Sequence, residues 1–238
     1  MDSKVVYETS NYLIVDKESG ILVHKDKFTA EEETLISQLK ERFREELYLV
    51  NRLDRDTSGL LLVAKSKLSL LALKSLFEEQ RIDKRYLAIL SNPLPHPKVK
   101  ISFSLGRDKG DKLRFSATNS KKYKNALTYA ETIDSQLVLL SLKTGRTHQL
   151  RAHLFTLSCP ILNDPIYGCK GKTTDKFGQY LHSFSLSFID PWTNELVSVV
   201  SNPPLEFVEK LIELKIDTSS LVNFESKYNS ISESLSGK

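Results

Sequence analysis

Apolar residues in this chain gather mostly in short runs bounded by polar or turn-forming residues. Residues 5–7, 12–15, 47–50 and 60–63 are rich in Val, Leu, Ile and Tyr and too short for helices, so they read as strands. Residues 84–90, 99–105, 126–133 and 137–142 are extended by the same criterion. The turn Asp134-Ser135-Gln136 joins the last two as a hairpin. Two more strands fall near residues 180–188 and 196–200. Helical spacing appears where Leu35, Ile36, Leu39 and Phe43 follow Thr29-Ala30-Glu31-Glu32, a capping box. Ser66 caps a second helix whose apolar face reads as Leu68, Leu71, Ala72 and Leu76. Residues 147–157, with the stripe Leu150, Leu154 and Leu157, and residues 205–214 complete the helices. Strands outnumber helices and hairpins are frequent, so the fold class is α+β with a largely antiparallel sheet.

A chain of 238 residues, 40% hydrophobic and 27% charged, buries a proper core and has an ordinary balance for a soluble protein. Cys159 and Cys169 are too few for a disulfide scaffold and too isolated for a zinc cluster, which points to a reducing compartment and a packing role. No basic-apolar-small leader opens the chain, and its apolar runs fall far short of a membrane span, so the expectation is a cytoplasmic protein with no membrane partner. From Thr218 onward serine becomes frequent and the scattered apolar residues lose any period. The expected organisation is therefore a folded unit at 1–217 and a flexible Ser-rich tail at 218–238.

Charge sharpens this picture. The net charge is only +4, but between Arg81 and Lys124 twelve Lys or Arg face three Asp, a local balance of +9 that leaves the rest of the chain at −5. With Tyr86, Phe103, Phe115 and Tyr123 interspersed, the segment has the make-up of a polyanion-binding face; taken alone, it reads equally as a solvated pair of Lys-rich hairpins.

The candidate chemistry lies in Asn51-Arg52-Leu53-Asp54-Arg55-Asp56-Thr57-Ser58-Gly59, which sets a carboxylate between arginines in a loop joining two strands. A carboxylate buried in a cleft stays ionised only beside a positive partner, and the same loop offers Arg52 and Arg55. Thr57, Ser58 and Gly59 shape the turn. Ser58 is not in a G-x-S-x-G elbow, so a serine hydrolase lacks support. His148 and His153 stand five apart with no Glu between them, unlike an H-E-x-x-H metal pair, and no phosphate-cradling glycine loop is present. Asp54 and Asp56, two residues apart in one loop, are poorly placed to flank a glycosidic bond as a hydrolase pair.

The same loop resembles the H-R-L-D-x-x-T-S-G signature of the RluA family of pseudouridine synthases, with Asn51 in place of His. Lys84-Arg85-Tyr86-Leu87-Ala88 is similar to the family's K-x-Y-x-A motif. Residues 144–153, Thr-Gly-Arg-Thr-His-Gln-Leu-Arg-Ala-His, resemble T-G-R-T-H-Q-I-R-x-H. Residues 159–168 resemble H-P-I-x-G-D-x-x-Y-G with Cys159 and Asn163 substituted, and Leu181-His182-Ser183 resembles L-H-A. The opening strand and turn at residues 12–24 resemble the family's, with Glu18 where K-P-x-G has Pro. These motifs keep family order.

The resemblance implies a single catalytic domain, its mixed sheet flanked by helices and cut by a central cleft. It implies isomerisation of uridine to pseudouridine in RNA without metal or other cofactor. Asp54 is then the catalytic residue, attacking C1′ of the ribose or C6 of the base. Arg151 is its ion-pair partner, Arg52 reaches the RNA and holds the base out of its stack, Tyr86 packs on the uracil, and Leu181 lies beneath it. Family members often carry an S4-type module ahead of this domain. The opening strand here starts near Val5, so the expected partner is a ribosomal or transfer RNA stem-loop, read by a monomer through shape and flipped bases. The alternative is an RNA-binding or ribosome-assembly protein that keeps the fold without catalysis.

Overall fold

The computed structural model describes residues 3–25, 32–108, 110–111, 113–118, 122–168, 177–217 and 219. The first half runs β1 (Lys4–Glu8), β2 (Tyr12–Lys17), α1 (Leu35–Phe43), β3 (Tyr48–Leu49), β4 (Ser58–Ala64), α2 (Lys67–Glu78), β5 (Asp83–Ile89), β6 (Lys98–Ile101) and β7 (Ser104–Arg107). It continues with β8 (Phe115–Thr118), β9 (Thr128–Asp134), β10 (Leu137–Leu142), α3 (Gln149–Thr156), β11 (Leu181–Ile189), β12 (Leu196–Val200) and α4 (Leu205–Glu213).

The main sheet has the order β1-β2-β4-β11-β5-β10-β9-β6, with β12 on β11 and β3 on β4, while β7 and β8 form a separate ribbon. It is mixed and largely antiparallel, the parallel contact being β4 with β11. The central strand β4, Ser-Gly-Leu-Leu-Leu-Val-Ala, is buried along its whole length, as a strand covered on both faces requires. Alternate residues feed opposite faces. On one face Leu13, Val15, Leu61, Val63 and Ala88 pack with Leu35 and Leu39 of α1 and Leu150 and Leu154 of α3. On the other, Tyr12, Ile14, Leu60 and Leu62 pack with Leu73 and Leu76 of α2, and Leu87 and Ile89 with Phe207 and Leu211 of α4. The result is a mixed sheet flanked by helices on both faces, the architecture expected from the sequence.

Several sequence expectations need correction. Thr29, Ala30 and Glu31 of the expected capping box lie outside the described residues; α1 is opened by Thr34, whose hydroxyl accepts from Ser37 N while Ser37 Oγ accepts from Thr34 N. The stripe expected on α2 is rotated. Leu68 and Leu71 are exposed, and Leu73 and Leu76, with Leu70 and Phe77, face the sheet. The helix offers two overlapping apolar stripes, and packing on β4 selects one. Residues 99–105 are not one strand: β6 pairs with β9, and the chain then leaves the sheet to start the ribbon, where His153 Nε2 lies 2.9 Å from Phe103 O. The 134–136 hairpin forms as expected, with Ser135 at φ 44°. The tail at 218–238 lies outside the described residues except for Ser219.

The parallel β4–β11 contact, which pairs Ser58 with His182 and Gly59 with Ser183, positions the site. Parallel strands begin at the same margin of a sheet, so the loop preceding β4 and Leu181 at the start of β11 come together. Tyr86 of β5 pairs with Ser183 beside them. Among the described residues no helix is long and apolar enough to cross a membrane.

Candidate active site

The loop carrying Asp54 is tied down through its backbone. Thr57 N donates to Asp54 O at 3.1 Å, closing a turn, and Thr57 Oγ1 accepts from Gln179 Nε2 at 2.6 Å. Arg55 O accepts from Gly20 N at 3.0 Å and Asp56 O from Ser19 Oγ at 2.9 Å. The buried Lys17 ammonium donates to Glu18 O, Ile21 O and Arg55 O at 2.7–2.9 Å, using all three of its protons to join the turn after β2 to this loop. Burial pushes Lys17 down to about 7, against the opposing pull of Asp56 and Asp54. Asn51, where the family signature has His, accepts from Leu62 N through Oδ1 at 2.8 Å and so anchors the start of the loop to β4. Gly59 has φ +99°, and a Cβ there would collide with the Ser183 backbone, so the close approach of β4 to β11 requires glycine.

Of the three candidate arginines, Arg151 makes the ion pair with Asp54: its Nη1 donates to Asp54 Oδ2 at 2.8 Å. Arg55 pairs with Glu32, and Arg52 Nη1 stands 3.3 Å from His24 Nε2. Arg151 is buried, and Asp164 takes the rest of its guanidinium in a fork, Nε to Oδ2 at 2.7 Å and Nη2 to Oδ1 at 2.8 Å. Asp164 Oδ1 also accepts from Ile166 N and Tyr167 N, and the Tyr167 ring centroid lies 5.3 Å from the guanidinium. Burial alone would raise the Asp54 carboxyl. The charge and hydrogen bond of Arg151, with the charges of His148 and Arg52, reverse that and hold it below the ordinary carboxylate range. Arg151 itself is pushed up by its two carboxylates despite burial.

The surrounding cleft has a volume of about 770 Å³. Tyr86 and Leu181 line it, both buried; Arg52 is exposed at its rim. Burial pushes the Tyr86 hydroxyl up to about 12; a hydrogen bond with Ser183 works against this and the charge of Asp54 works with it. At neutral pH Tyr86 is therefore a phenol and a hydrogen-bond donor.

Sequence reasoning misses three contributors. Asp164 falls in one of the family-like runs, yet its residue type there suggests no role. His148 is given no role in the sequence reading, where it serves only to argue against a metal pair; its Nε2 is 3.8 Å from Asp54 Oδ2, and its Nδ1 is 3.2 Å from Tyr167 Oη. It occupies the N-cap of α3 at φ 54°, and burial lowers its pKa, so it is largely neutral at pH 7. Tyr167, the third, packs against both His148 and Arg151. Gln149 holds the approach to α3, accepting from Thr144 Oγ1 and Arg146 N and donating to Leu127 O and Thr128 Oγ1. His153 and His182 are buried and hydrogen-bonded within the fold, and Cys159 is buried with its thiol directed to Pro93 O. Among the described residues no group of three or more His, Cys, Asp or Glu is placed to hold a metal ion.

A family model described as RNA pseudouridylate synthase matches residues 11–155. An uncharacterized RNA pseudouridine synthase of Mycoplasma pneumoniae is 35% identical over 228 residues, covering 93% of this chain and 74% of that protein. Ribosomal large subunit pseudouridine synthase D of Borreliella burgdorferi is 34% identical over 216 residues, covering 86% and 66% respectively. The solved structure of human RNA pseudouridylate synthase domain containing 1 superimposes with a TM-score of 0.72 at 30% identity, over 85% of this chain and 84% of that one.

Proposed function

The chain belongs to the RNA pseudouridylate synthases as an RluA-like member, an isomerase acting on uridine in RNA, and on that footing we propose that Asp54 is its nucleophile. The reaction breaks the N1–C1′ bond and makes a C5–C1′ bond. C5 loses a proton and N1 gains one, so nothing is consumed. Asp54 supplies an electron pair to C1′ of the ribose or to C6 of the base, the covalent logic of a carboxylate nucleophile.

The observation that carries this reading is the 2.8 Å pair between Asp54 and an arginine that Asp164 already clamps. The pair keeps the carboxylate anionic inside the cleft. When its charge is used in bond formation, Arg151 still has Asp164, so no unpaired guanidinium is left behind. Uridine must leave its stack to reach Asp54, at a cost of a few kcal/mol. Tyr86 and Leu181 then bound the uracil, and Arg52 at the rim reaches the RNA and helps hold the base out of its stack.

The target follows from that cost. A uridine in a stem-loop of ribosomal or transfer RNA is already partly unstacked, and a relative at 34% identity is named for the large ribosomal subunit. The same reading takes residues 1–217 as one catalytic unit working as a cytoplasmic monomer, with 218–238 outside it.

RNA carrying labelled uridine tests the reaction: the purified chain converts it to pseudouridine. Unchanged but bound RNA, or released uracil, contradicts the reading. Pseudouridine mapping in cells with and without the gene tests the target. Loss at one ribosomal or transfer RNA loop position, restored by purified protein, is expected, whereas a response confined to messenger RNA overturns the assignment.

A further inference from the structure

Lys84 stands two residues before Tyr86 on β5, so both side chains leave the same face of the strand and line the same cleft. It is 8% exposed. Its Nζ sits 4.5 Å from the Phe77 ring centroid, and a Cβ on Gly145 would stand 3.7 Å from it, so the β10–α3 loop passes beside the ammonium. Among the described residues no carboxylate pairs with it and its Nζ makes no hydrogen bond, unlike Lys17, whose three protons are all used. A buried cation without an anion is costly, and folds remove such groups unless something else supplies the charge. The cleft itself is cationic: six Lys or Arg line it against Asp54 and Glu78, and Lys143 and Arg146 lie on the loop beside Lys84.

We propose that Lys84 forms a phosphate subsite within the cleft, taking a backbone phosphate of a nucleotide adjoining the extruded uridine. This rests on the RNA reading above and adds a contact to it. A phosphate supplies the full negative charge that burial of the ammonium demands, where a uracil carbonyl supplies only a dipole. Burial pushes the Lys84 ammonium down to about 8 and no neighbouring carboxylate opposes that, so the charge-balancing partner comes from outside the protein. The Phe77 ring fixes the ammonium from one side and leaves its protons to the cleft.

Uridine 3′,5′-bisphosphate and uridine, titrated against the wild-type chain and Lys84→Met by NMR, test the subsite. The expected result is about a tenfold loss of bisphosphate affinity in Lys84→Met, the size of one charge-assisted hydrogen bond, with uridine affinity unchanged. The variant should also melt higher than wild type, since it no longer buries an unpaired charge. If it does not fold, Lys84→Gln takes its place. Unchanged bisphosphate affinity, an equal loss for both ligands, or wild-type protein that binds the bisphosphate no better than uridine each overturns the subsite. None of these readouts requires turnover, so the subsite can fail while Asp54 stands as nucleophile, and the reverse.

Discussion

One part of the cleft lining holds Asp54 against Arg151, itself clamped by Asp164; another holds Lys84 against an aromatic ring and a glycine loop, with no carboxylate paired to it among the described residues. Both charges are desolvated, yet their responses differ. Asp54 is driven further toward its charged form, because its neighbours outweigh its burial, whereas Lys84 is driven toward its neutral form, because nothing does. A compensated charge stays ionised without a ligand, as the role proposed for Asp54 requires. An uncompensated one is a stability cost that makes sense only when a ligand brings the counter-charge.

The sharpest way to break the first half of this contrast is Arg151→Met. It leaves Asp54 and Asp164 without their shared cation, and breaking a buried pair in this way costs about 3–5 kcal/mol. Denaturant unfolding should show that loss, and turnover should fall with it. The pH dependence should change sign as well. In the wild type the folded Asp54 pKa lies below the unfolded value, so its stabilisation is complete above the unfolded pKa and is lost as pH falls through the folded one. In Arg151→Met the main opposition to burial is gone and only the charges of His148 and Arg52 remain against it, so that pKa rises, Asp54 protonates more readily on folding and its contribution at neutral pH turns toward a penalty. An unchanged rate in the variant removes Arg151 from the site.

The second half is tested by the stability of Lys84→Met. The folded Lys84 pKa of about 8 lies below the ordinary 10.5, so charged Lys84 opposes folding fully below pH 8, and the penalty fades as pH rises from 8 to 10.5. The variant should gain on the order of 3 kcal/mol at pH 7, and the gain should shrink over that window. A gain independent of pH would trace to packing.

A smaller effect is expected outside the cleft. Lys122 and Lys124 lie on the exposed approach to β9, and Lys121 next to them is outside the described residues. Replacing all three by Ala should flatten the salt dependence of RNA binding by roughly 0.7 in log–log slope for each single-strand phosphate that the protein no longer neutralises. Lower affinity at an unchanged slope would mean these lysines do not meet the backbone.

Asp54, Arg151, Tyr86 and Leu181 are legible in the sequence because each sits in a short run whose residue types and order are distinctive. Asp164 and Tyr167 are in such a run too, but an Asp in a loop reads as a turn former, and only the fold brings it under Arg151. His148 lies in a family-like run as well, but its part comes from a left-handed N-cap that brings the ring near Asp54, which spacing does not encode. Lys84 opens the K-x-Y-x-A-like run and is one of twelve cations in a basic segment, but neither fact tells that its ammonium is buried. Strand positions read well because central strands bury both faces as continuous apolar runs. The α2 face misleads because two apolar stripes overlap in it, and the 99–105 strand is over-extended in sequence because the chain changes sheet there, where the Phe103 carbonyl meets a buried histidine fifty residues away rather than a neighbouring strand.

The most direct test of the account is Asp54→Asn assayed for both pseudouridine formation and RNA binding, on a sample checked for deamidation. Asparagine keeps the size of the side chain and removes the negative charge and the nucleophilic oxygen. The account predicts that pseudouridine formation is abolished while RNA affinity stays within a few fold, because the phosphate contacts that set affinity lie elsewhere. Appreciable turnover by homogeneous Asp54→Asn would contradict it.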